Sequence, residues 1–419
     1  MGSGPSGCYI AQFLAKAWPD SEITVFESLP APYGLVRYGV AADHQGAKAV
    51  TRQFDRLFAR RGVRFAGNIT IGRHLDFAQV AASFDIVVLA TGLPDDRELG
   101  VPCDPGAYVV GAGALLRTLN GFPSPVLPHI AAGRSRPIGS RVVIVGMGNV
   151  AVDVMRLLSK DATAFAGSDI DDDRLRQLRP TPPRSIDTVA RSTASEAKCD
   201  LAMLRELVAL PTVDIAVTGL DDCDDGPVAD LLRKSAAAAP SHRPCPPGVR
   251  RTQITFHFGL VPEALLAREG RTVLTARRAR LDQAKPLELA ADTIITAIGF
   301  THGSTLDEAS PREHWDGDHV YRVGWLSRGA RGTIPENRKD AQRLARTIIA
   351  DVEAERITTG RPGFRAVEAS ILHRTVTFDD WQRIDAFERR SARADRCRQK
   401  ITDLGQMLAV AGARHGNEH

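Results

Sequence analysis

The sequence predicts an α/β protein with two Rossmann-like, three-layer dinucleotide-binding domains. Two glycine-rich loops, residues 2–7 (GSGPSG) and 146–151 (GMGNVA), indicate this fold because each opens a stretch with the apolar periodicity of a helix. A repeated pattern at 85–92 and 292–299 supports it. Each copy begins with Asp, continues through a β-branched strand and places Ala two residues before Gly. We therefore expect one such closing strand in each domain.

The remaining elements are predicted from apolar periodicity and from turn residues. In the first half of the chain they are a helix over 8–18, a strand over 22–27, a Pro- and Gly-bearing connection from 93 to about 140, a strand over 141–145 and a helix over 150–158. In the second half they are a loop-rich segment over 219–248, a helix over 337–353 and two amphipathic helices within 381–410.

The composition is that of a globular protein. Hydrophobic residues make up 43% and charged residues 25% of 419 positions, which is enough for two domains with separate cores. Apolar runs such as 86–90 have only strand length, so we expect no membrane span. A net charge of +4 is too mild to indicate nucleic-acid binding. The six cysteines form no Cys-x-x-Cys pair, which predicts neither a disulfide framework nor a metal site and favours a cytoplasmic setting.

Each residue of the first glycine loop has a geometric role. Gly2 allows a tight turn, Gly4 lets a pyrophosphate approach the backbone, and Gly7 allows the helix to pack closely on its strand. The N-terminus of that helix offers free N–H groups to phosphate. Glu27 ends a strand twenty residues after Gly7, where it can accept hydrogen bonds from the hydroxyls of an adenosine ribose.

A strand should precede this first loop, and the pattern leaves no room for one ahead of residue 2. Two interpretations are open: the protein starts upstream, or the first strand is absent and the site is weakened. The second loop does follow a strand, over 142–145, and Ala151 takes the place of the third glycine, which the fingerprint allows. Two loops about 144 residues apart imply two bound dinucleotides.

Further sequence blocks extend over nearly the whole chain. They are PYGLVRYGV at 32–40 followed by Asp43 and His44, GNITIG at 67–72, GMGNVAVD at 146–153, GWLSRGARGTI at 324–334 and WQRIDAFER at 381–389. Together they resemble the bacterial members of the adrenodoxin-reductase-type ferredoxin–NADP(+) reductases, where two of these blocks read GQGNVALD and GWxKRGPTGxI. Relative to that family the chain is shortened between about 271 and 321.

The resemblance implies that FAD is bound by a domain built from both chain ends. Residues 1–98 and 299–419 would form this flavin domain, and residues 99–298 an inserted NADP domain. The implied FAD contacts are Gly2, Gly4, Ser6 and Gly7, then Glu27, Leu35 and Ile71, and Trp325 beside the isoalloxazine ring. The turn Gly332-Thr333-Ile334 is implied to present N–H groups to the N1/O2 side of the flavin, which carries negative charge when reduced.

For the nicotinamide cofactor, the resemblance implies NADP(H). Its pyrophosphate would lie on Met147, Gly148, Asn149 and Val150. Its 2′-phosphate would lie at Arg191 and Ser192, where relatives carry Gly-Arg-Arg-Gly-Pro and this sequence reads Ala-Arg-Ser-Thr-Ala. One of two arginines is missing, and two forked guanidinium groups hold a phosphate better than one. Because no acidic residue takes the vacant place, we expect NADPH to be preferred by a reduced margin, with NADH as the alternative.

The implied reaction is hydride transfer from NADPH to the flavin, followed by single-electron transfer to a ferredoxin-type iron–sulfur protein. The implied polar groups beside the nicotinamide are His44, Asp153 and Glu206, which would position the ring or relay a proton. Such ferredoxins are acidic, so basic side chains are candidate contacts. These are Arg233, Lys234, Arg243, Arg250, Arg251, Arg328 and Arg331.

Two other interpretations stay open. One is a different NAD(P)H-dependent flavoprotein, a disulfide reductase or a monooxygenase. The lack of a Cys-x-x-Cys pair argues against the former, and the GWLSRGARGTI block argues against the latter. The other is a degenerate homologue that binds nucleotides with little activity, which the missing first strand and the incomplete arginine pair suggest.

Overall fold

The structure is a computed structural model that describes residues 1–60, 62–124, 127, 129–130, 134–221, 224–238, 245, 248, 250–279, 285–301 and 315–412. The helices are α1 (Pro5–Ala17), α2 (Leu35–Tyr38), α3 (Gln45–Lys48), α4 (Thr51–Arg60), α5 (Phe77–Ser83), α6 (Ala112–Leu119), α7 (Asn149–Ser159), α8 (Asp172–Leu178), α9 (Leu201–Val208), α10 (Pro227–Ala237), α11 (Trp325–Arg328), α12 (Ile334–Glu353), α13 (Arg365–Ile371), α14 (Phe378–Arg390) and α15 (Leu404–Ala411). Within the described residues, every helix is too short or too polar to cross a bilayer.

The strands alternate with these helices along much of the chain. They are β1 (Thr24–Phe26), β2 (Arg64–Ala66), β3 (Val87–Leu89), β4 (Asp95–Asp96), β5 (Val109–Gly111), β6 (His129–Ile130), β7 (Arg134–Ser135), β8 (Arg141–Val145), β9 (Ser185–Ala190), β10 (Val213–Thr218), β11 (Thr252–Phe258), β12 (Leu260–Arg268), β13 (Arg271–Arg278), β14 (Leu287–Ala291), β15 (Thr293–Thr296), β16 (Phe300–Thr301) and β17 (Val320–Arg322).

A six-stranded parallel sheet forms the middle layer of the central part of the chain. Its strand order is β10-β11-β9-β8-β15-β5. Side chains alternate along β8, so that Val142 and Ile144 pack against the core that contains α7, while Val143 and Val145 pack against the antiparallel sheet β12-β13-β14. Helices, sheet and second sheet therefore make three layers, as the sequence predicts.

Two stretches predicted to be irregular contain regular elements. The predicted connection over 93–140 includes β5, which pairs with β15, and helix α6, most of whose residues are buried. The predicted loop-rich segment over 219–248 includes α10, whose Val228, Ala229 and Leu232 are buried, while 222–223, 239–244 and 246–247 lie outside the described residues. Both predictions were wrong because short elements gain their stability from packing onto the large sheet and carry little signal of their own.

The remaining strands and helices come from both ends of the chain. The N-terminal β3 pairs in parallel with the C-terminal β17, and β1 pairs in parallel with β2. Helices α1 and α12 share one apolar core, in which Leu14 lies with Ala341 and Ile348. The two ends thus form one α/β unit, and the predicted fold class, with the second Rossmann-like domain inserted in the first, is confirmed.

Met1 and Gly2 lie between β1 and β3, where the end of the expected first strand belongs. The Met1 amino group donates to the Val88 carbonyl at 2.7 Å, and the Ala90 N–H donates to the Met1 carbonyl at 2.8 Å. On the other side, the Gly2 N–H donates to the Phe26 carbonyl at 2.8 Å. These two residues therefore make the hydrogen bonds of a strand end to both neighbours.

An apolar groove continues from Met1 between β1 and β3. It has a volume of about 430 Å³, and Ile10, Leu14, Val25 and Val88 are among the side chains that line it. Among the described strands, none is hydrogen-bonded between β1 and β3. Met1 and Gly2 therefore occupy the place where a strand between β1 and β3 would end.

A buried ionic cluster joins the two units, and a short ribbon lies where the chain crosses between them. The ribbon is the antiparallel pair β4 and β16. In the cluster, Lys48 Nζ lies 2.8 Å from Asp169 Oδ1, and Lys400 Nζ lies 2.6 Å from Asp169 Oδ2. Lys48 also donates to Asn120 Oδ1 at 2.6 Å. One carboxylate of the inserted unit thus binds an ammonium group from each end of the chain.

Candidate active site

The two glycine loops occupy equivalent places in the two units. Gly2 has φ +92° and Gly146 has φ +123°, a region that other residues rarely adopt. A Cβ on Gly2 would lie 2.5 Å from the Ala90 carbonyl oxygen, and one on Gly146 would lie 2.3 Å from that of Ala297. The repeated Ala of the two closing strands therefore abuts the first glycine of each loop, which explains the internal repeat in the sequence.

The later loop positions leave room above the backbone. A Cβ at Gly4 or at Gly148 would meet no atom within 4 Å, and these residues are the N-caps of α1 and α7. At the third position, a Cβ on Gly7 would lie 1.9 Å from the Gly2 carbonyl oxygen, whereas Ala151 is accommodated and fully buried. Each loop thus exposes a helix N-terminus over open space, a geometry that fits a pyrophosphate.

Glu27 follows β1 and binds back to the first loop. Its Oε2 accepts hydrogen bonds from the Ser3 N–H at 3.0 Å and from the Ser3 hydroxyl at 2.6 Å, and its Oε1 accepts one from the Leu29 N–H at 3.2 Å. A carboxylate has further lone pairs, so these bonds orient Glu27 and leave it able to accept from a ribose. Leu35 begins α2, and Ile71 is buried in a neighbouring apolar cluster.

Trp325 lies near the first loop. Its neighbour Gly324 has φ +75°, and a Cβ there would lie 2.2 Å from Ser6 Oγ, so the two segments touch. The Trp325 ring stacks on Phe300 at 5.3 Å between centroids. Its buried Nε1 has no hydrogen-bond partner among the described residues. A buried donor without a partner is costly, which fits an indole that bonds to a cofactor.

Polar contacts tie this segment to the start of α12. Ser6 Oγ donates to Asn337 Oδ1 at 3.2 Å, and Arg328 also donates to that oxygen. The turn Gly332-Thr333-Ile334 lies at the N-terminus of α12, where the Thr333 N–H donates to the Glu336 carboxylate. One of the N–H groups predicted to face the flavin is therefore already bonded within the helix.

His44, Asp153 and Glu206 come together although they lie far apart in the sequence. His44 Nδ1 lies 3.5 Å from Asp153 Oδ1, and His44 Nε2 lies 3.2 Å from Glu206 Oε2. Asp153 also accepts a hydrogen bond of 2.8 Å from Arg156. Burial raises the pKa of Asp153, although His44 and Arg156 oppose that shift.

Arg156, which no sequence motif indicates, connects this group to Asp43. Its buried guanidinium forms ion pairs with Asp153 and with Asp43, and Lys160 also pairs with Asp43. Burial alone raises the pKa of Asp43, but the bonds and charges of Arg156 and Lys160 outweigh it and lower that pKa. The i,i+3 spacing of Asp153 and Arg156 on a helix could have indicated the first pair.

The segment after β9 contains the residues predicted to hold a 2′-phosphate. Arg191 is exposed, and the Ser192 carbonyl accepts the Gly259 N–H at 3.2 Å. Residues 190–194 contain no acidic side chain, but the carboxylate of Glu196, farther along the loop, accepts the Thr193 N–H at 3.3 Å. The loop that carries Glu196 is irregular, so sequence spacing alone could not place it.

The second glycine loop is anchored to this same segment. Asn149 Oδ1 accepts the Asp200 N–H at 2.6 Å, which fixes the loop relative to the start of α9. Met147 is buried in the core, whereas Gly148 and Val150 are partly exposed. All four predicted pyrophosphate residues thus lie at the carboxyl end of β8 beside Arg191 and Ser192 at the end of β9.

Several basic residues predicted to contact an acidic partner are bonded within the chain. Arg233 donates to backbone carbonyls, and Arg251 and Arg328 form ion pairs with Asp214 and Asp340. Lys234, Arg250 and Arg331 are exposed, while Arg243 lies outside the described residues. The exposed three are the better candidates because the others already have partners.

Comparison with known proteins adds sequence and structural relatives. The chain is 40% identical to the cindoxin reductase of Citrobacter braakii, over 99% of this chain and 91% of that protein. It is 32% identical to a probable ferredoxin/ferredoxin–NADP reductase of Mycobacterium tuberculosis, over 98% and 75%. Its structure is similar to that of Mycobacterium tuberculosis FprA in complex with NADPH, with a TM-score of 0.82, 29% identity and 98% of both chains covered. No model of a known protein family matches the chain.

Proposed function

The chain belongs to the adrenodoxin-reductase-type family of ferredoxin–NADP(+) reductases, and from that premise we propose that it uses NADPH and FAD to reduce a ferredoxin-type iron–sulfur protein. The single observation that carries this proposal is the equivalent placement of two glycine loops, each with a helix N-terminus over open space. Two such sites in one oxidoreductase fit one flavin and one nicotinamide dinucleotide.

The residues of the first loop fit FAD. Gly4 leaves space for the pyrophosphate, Glu27 is oriented toward the ribose position by its bonds to Ser3, and the Trp325 indole has a free donor. When bound, the flavin accepts a hydride and releases electrons singly, the conversion that a one-electron partner requires. In the second loop, Gly148 offers the matching space for the pyrophosphate of NADPH.

The chain's own polar groups position the nicotinamide in this proposal. His44 belongs to the flavin unit, whereas Asp153 and Glu206 belong to the inserted unit, so their contacts connect the two units. Arg156 forms an ion pair of 2.8 Å with Asp153. We infer that this group orients the ring, because a polar network fixed in this way loses little entropy when substrate binds.

The proposal also includes the domain limits, the residues that hold the coenzyme's 2′-phosphate, and the cellular location. The limits 1–98, 99–298 and 299–419 are supported by the ribbon of β4 and β16, whose strands lie just outside the two boundaries of the inserted unit. Arg191 and Ser192 would hold the 2′-phosphate at the end of β9. The scattered cysteines support a cytoplasmic setting.

The proposal is tested by two loop variants of the full chain. Gly148→Asp and Gly4→Asp add a carboxylate over space that is open, at backbone angles that any residue adopts, so both proteins should fold. Gly148→Asp should retain the visible absorption of FAD but should no longer be bleached by NADPH under argon. Gly4→Asp should lose the flavin absorption, because the added charge repels its pyrophosphate.

The matched comparisons are Gly148→Ala and Gly4→Ala, which place a methyl group without charge in the same space and should weaken NADPH or flavin binding less than the aspartates do. The wild-type protein, once reduced, should pass electrons to an added ferredoxin in an anaerobic assay. Purified protein without flavin, or flavin that NADPH bleaches equally in Gly148→Asp and wild type, would contradict the proposal.

A further inference from the structure

The strand β9 ends beside the second glycine loop, where Rossmann-like domains distinguish the two nicotinamide coenzymes. β9 is the parallel neighbour of β8. In Rossmann-like domains the residues just beyond the corresponding strand face the ribose nearest the adenine. In such domains an acidic residue there accepts hydrogen bonds from a free 2′-hydroxyl, whereas an arginine accommodates a 2′-phosphate. This chain has one residue of each kind: Arg191 directly after the strand and Glu196 five residues later.

Glu196 is held at the strand end by the backbone. Its Oε2 accepts the Thr193 N–H at 3.3 Å, and the Thr193 hydroxyl lies 2.9 Å from the Ser195 hydroxyl. The loop is fixed at both ends, because the Ser192 carbonyl accepts the Gly259 N–H and the Asp200 N–H donates to Asn149. The Glu196 carboxylate therefore occupies the Thr193 N–H in the loop that follows β9.

The flavin unit contains the same arrangement in a simpler form. Glu27 directly follows β1, and its carboxylate accepts the N–H of Ser3 in the adjacent loop. In the inserted unit, the residue directly after the corresponding strand is Arg191, and the carboxylate is supplied from Glu196. In each unit a carboxylate beyond the strand thus accepts a backbone N–H, from the glycine loop at Glu27 and from the loop after β9 at Glu196.

We propose that Glu196 determines coenzyme preference in this chain by opposing Arg191, so that the enzyme accepts both NADPH and NADH. Arg191 attracts the 2′-phosphate. Glu196 repels it and offers an acceptor to the free 2′-hydroxyl of NADH. This inference rests on the proposed function, because it assumes that a nicotinamide coenzyme binds at the second glycine loop.

The experiment compares Glu196→Gln and Glu196→Ala with wild type in anaerobic flavin reduction by NADPH and by NADH. Removing the carboxylate charge should raise the ratio of kcat/KM for NADPH to kcat/KM for NADH by about fivefold to thirtyfold. This is the effect of repulsion in water between one carboxylate and a phosphate of one to two negative charges about 4 Å away. The change should lie mostly in KM, because the phosphate is remote from the reacting carbon. Glu196→Gln should act as strongly as Glu196→Ala if charge is the cause.

A binding measurement separates this inference from the proposed function. The affinity of wild type and of each variant for adenosine 2′,5′-bisphosphate and for 5′-AMP is measured by calorimetry, which needs no flavin chemistry. Glu196→Gln should tighten the bisphosphate and leave 5′-AMP unchanged or weaker. The control is Glu288→Gln, which removes an exposed carboxylate on β14 that pairs with Arg268. It should change neither the affinity for the bisphosphate nor that for 5′-AMP.

The outcomes are distinct. If both coenzymes reduce the flavin but the ratio is the same in wild type and Glu196→Gln, the inference is wrong and the proposed function stands. If Glu196→Ala raises the ratio and Glu196→Gln does not, the charge is not the cause and the inference is equally wrong. If neither coenzyme reduces the flavin of the wild-type protein, the proposed function itself fails.

Discussion

The imidazole Nε2 of His44 lies 3.2 Å from Glu206 Oε2, which links a residue of the flavin unit to one of the inserted unit. The other ring nitrogen lies 3.5 Å from Asp153, so the imidazole faces a carboxylate on each side. A histidine held from two sides has a fixed ring plane. This relationship makes the relative orientation of the two units depend partly on a group that also borders the proposed nicotinamide position.

We predict that His44→Gln slows flavin reduction by NADPH by roughly tenfold, because glutamine cannot contact both carboxylates and the ring is positioned less well. Glu206→Gln should have a smaller effect, since the Glu206 side chain is 57% exposed and its interaction is screened. Stopped-flow absorbance of the bound flavin measures both rates. The control is His373→Gln, an exposed histidine of the C-terminal region. Equal rates in wild type and His44→Gln would rule out a positioning role.

The sequence predicts those parts of the site that depend on the backbone. Gly2 and Gly146 are predictable because each must adopt a positive φ and lie against a strand carbonyl, which other residues do not allow. His44, Asp153 and Glu206 were predicted only through the resemblance. Glu196 was missed because its position depends on an irregular loop, and such loops show no periodicity from which a side-chain direction follows.

The contacts that join the two units cannot be predicted from sequence patterns, for a different reason. Lys48, Asp169 and Lys400 come from three segments, with 121 residues between the first pair and 231 between the second. No local spacing predicts such a contact. The pairing of β3 with β17 has the same origin, since each strand has three residues and finds its partner only in the folded chain.

The loss of one of the two family arginines leads to a prediction on coenzyme preference. Restoring the pair with Ser192→Arg should widen the preference for NADPH over NADH by roughly tenfold to a hundredfold, the scale of one charged hydrogen bond of about 1.5–3 kcal/mol. Arg191→Ala should narrow it by a similar factor, mainly through a higher KM for NADPH. Steady-state kinetics with both coenzymes measure the ratio. An unchanged ratio in Arg191→Ala would show that this side chain does not contact the phosphate.

The buried ionic cluster leads to a prediction on stability. Asp169→Asn should lower the free energy of unfolding by about 3–5 kcal/mol, because Lys48 and Lys400 would stay buried without a counter-charge. Urea denaturation followed by circular dichroism measures the change. The matched control is Asp173→Asn, which removes an exposed carboxylate paired with Arg176 and should change stability little.

The same cluster gives a dependence on pH. Burial alone raises the pKa of Asp169, but the two ammonium groups outweigh it and hold that pKa at about 2, below the ordinary value of 3.8. A lowered folded-state pKa means that the stabilisation is present above 3.8 and is lost as the pH falls toward 2. The slope of stability against pH in that window should therefore be smaller in Asp169→Asn than in wild type. Equal slopes would place the acid sensitivity elsewhere.

The groove between β1 and β3 leads to the last prediction. Met1 and Gly2 make strand-like hydrogen bonds at its end, and Leu14, Val25 and Val88 line its apolar wall. Five β-branched residues fused ahead of Met1 should enter the groove and pair with both strands, which joins two small parallel sheets into one. The added strand should raise the free energy of unfolding by at least about 2 kcal/mol, the effect of burying one or two large apolar side chains.

The matched control is a Gly-Ser fusion of equal length, which cannot pack in the groove. Both fusions replace the Met1 amino group by an amide. Burial lowers the pKa of that amino group from an ordinary 8.0 to about 6. The folded protein is therefore destabilised below pH 6, where the buried group is charged, and this destabilisation disappears as the pH rises to 8. The part of the rise in stability between pH 6 and 8 that this amino group contributes should therefore be absent in both fusions, whereas only the apolar one should be more stable at pH 8.

Retention of the flavin is the functional measurement for the same pair of fusions. The Gly2 N–H bonds to β1 and the Met1 carbonyl to the N–H after β3, so a strand continuing from them would hold the first glycine loop more rigidly. The apolar fusion should lose FAD more slowly during gel filtration in mild urea than the Gly-Ser fusion, because a loop ordered in advance binds its ligand at lower entropic cost. If the two fusions unfold at the same urea concentration and release FAD equally fast, the groove does not accept a strand.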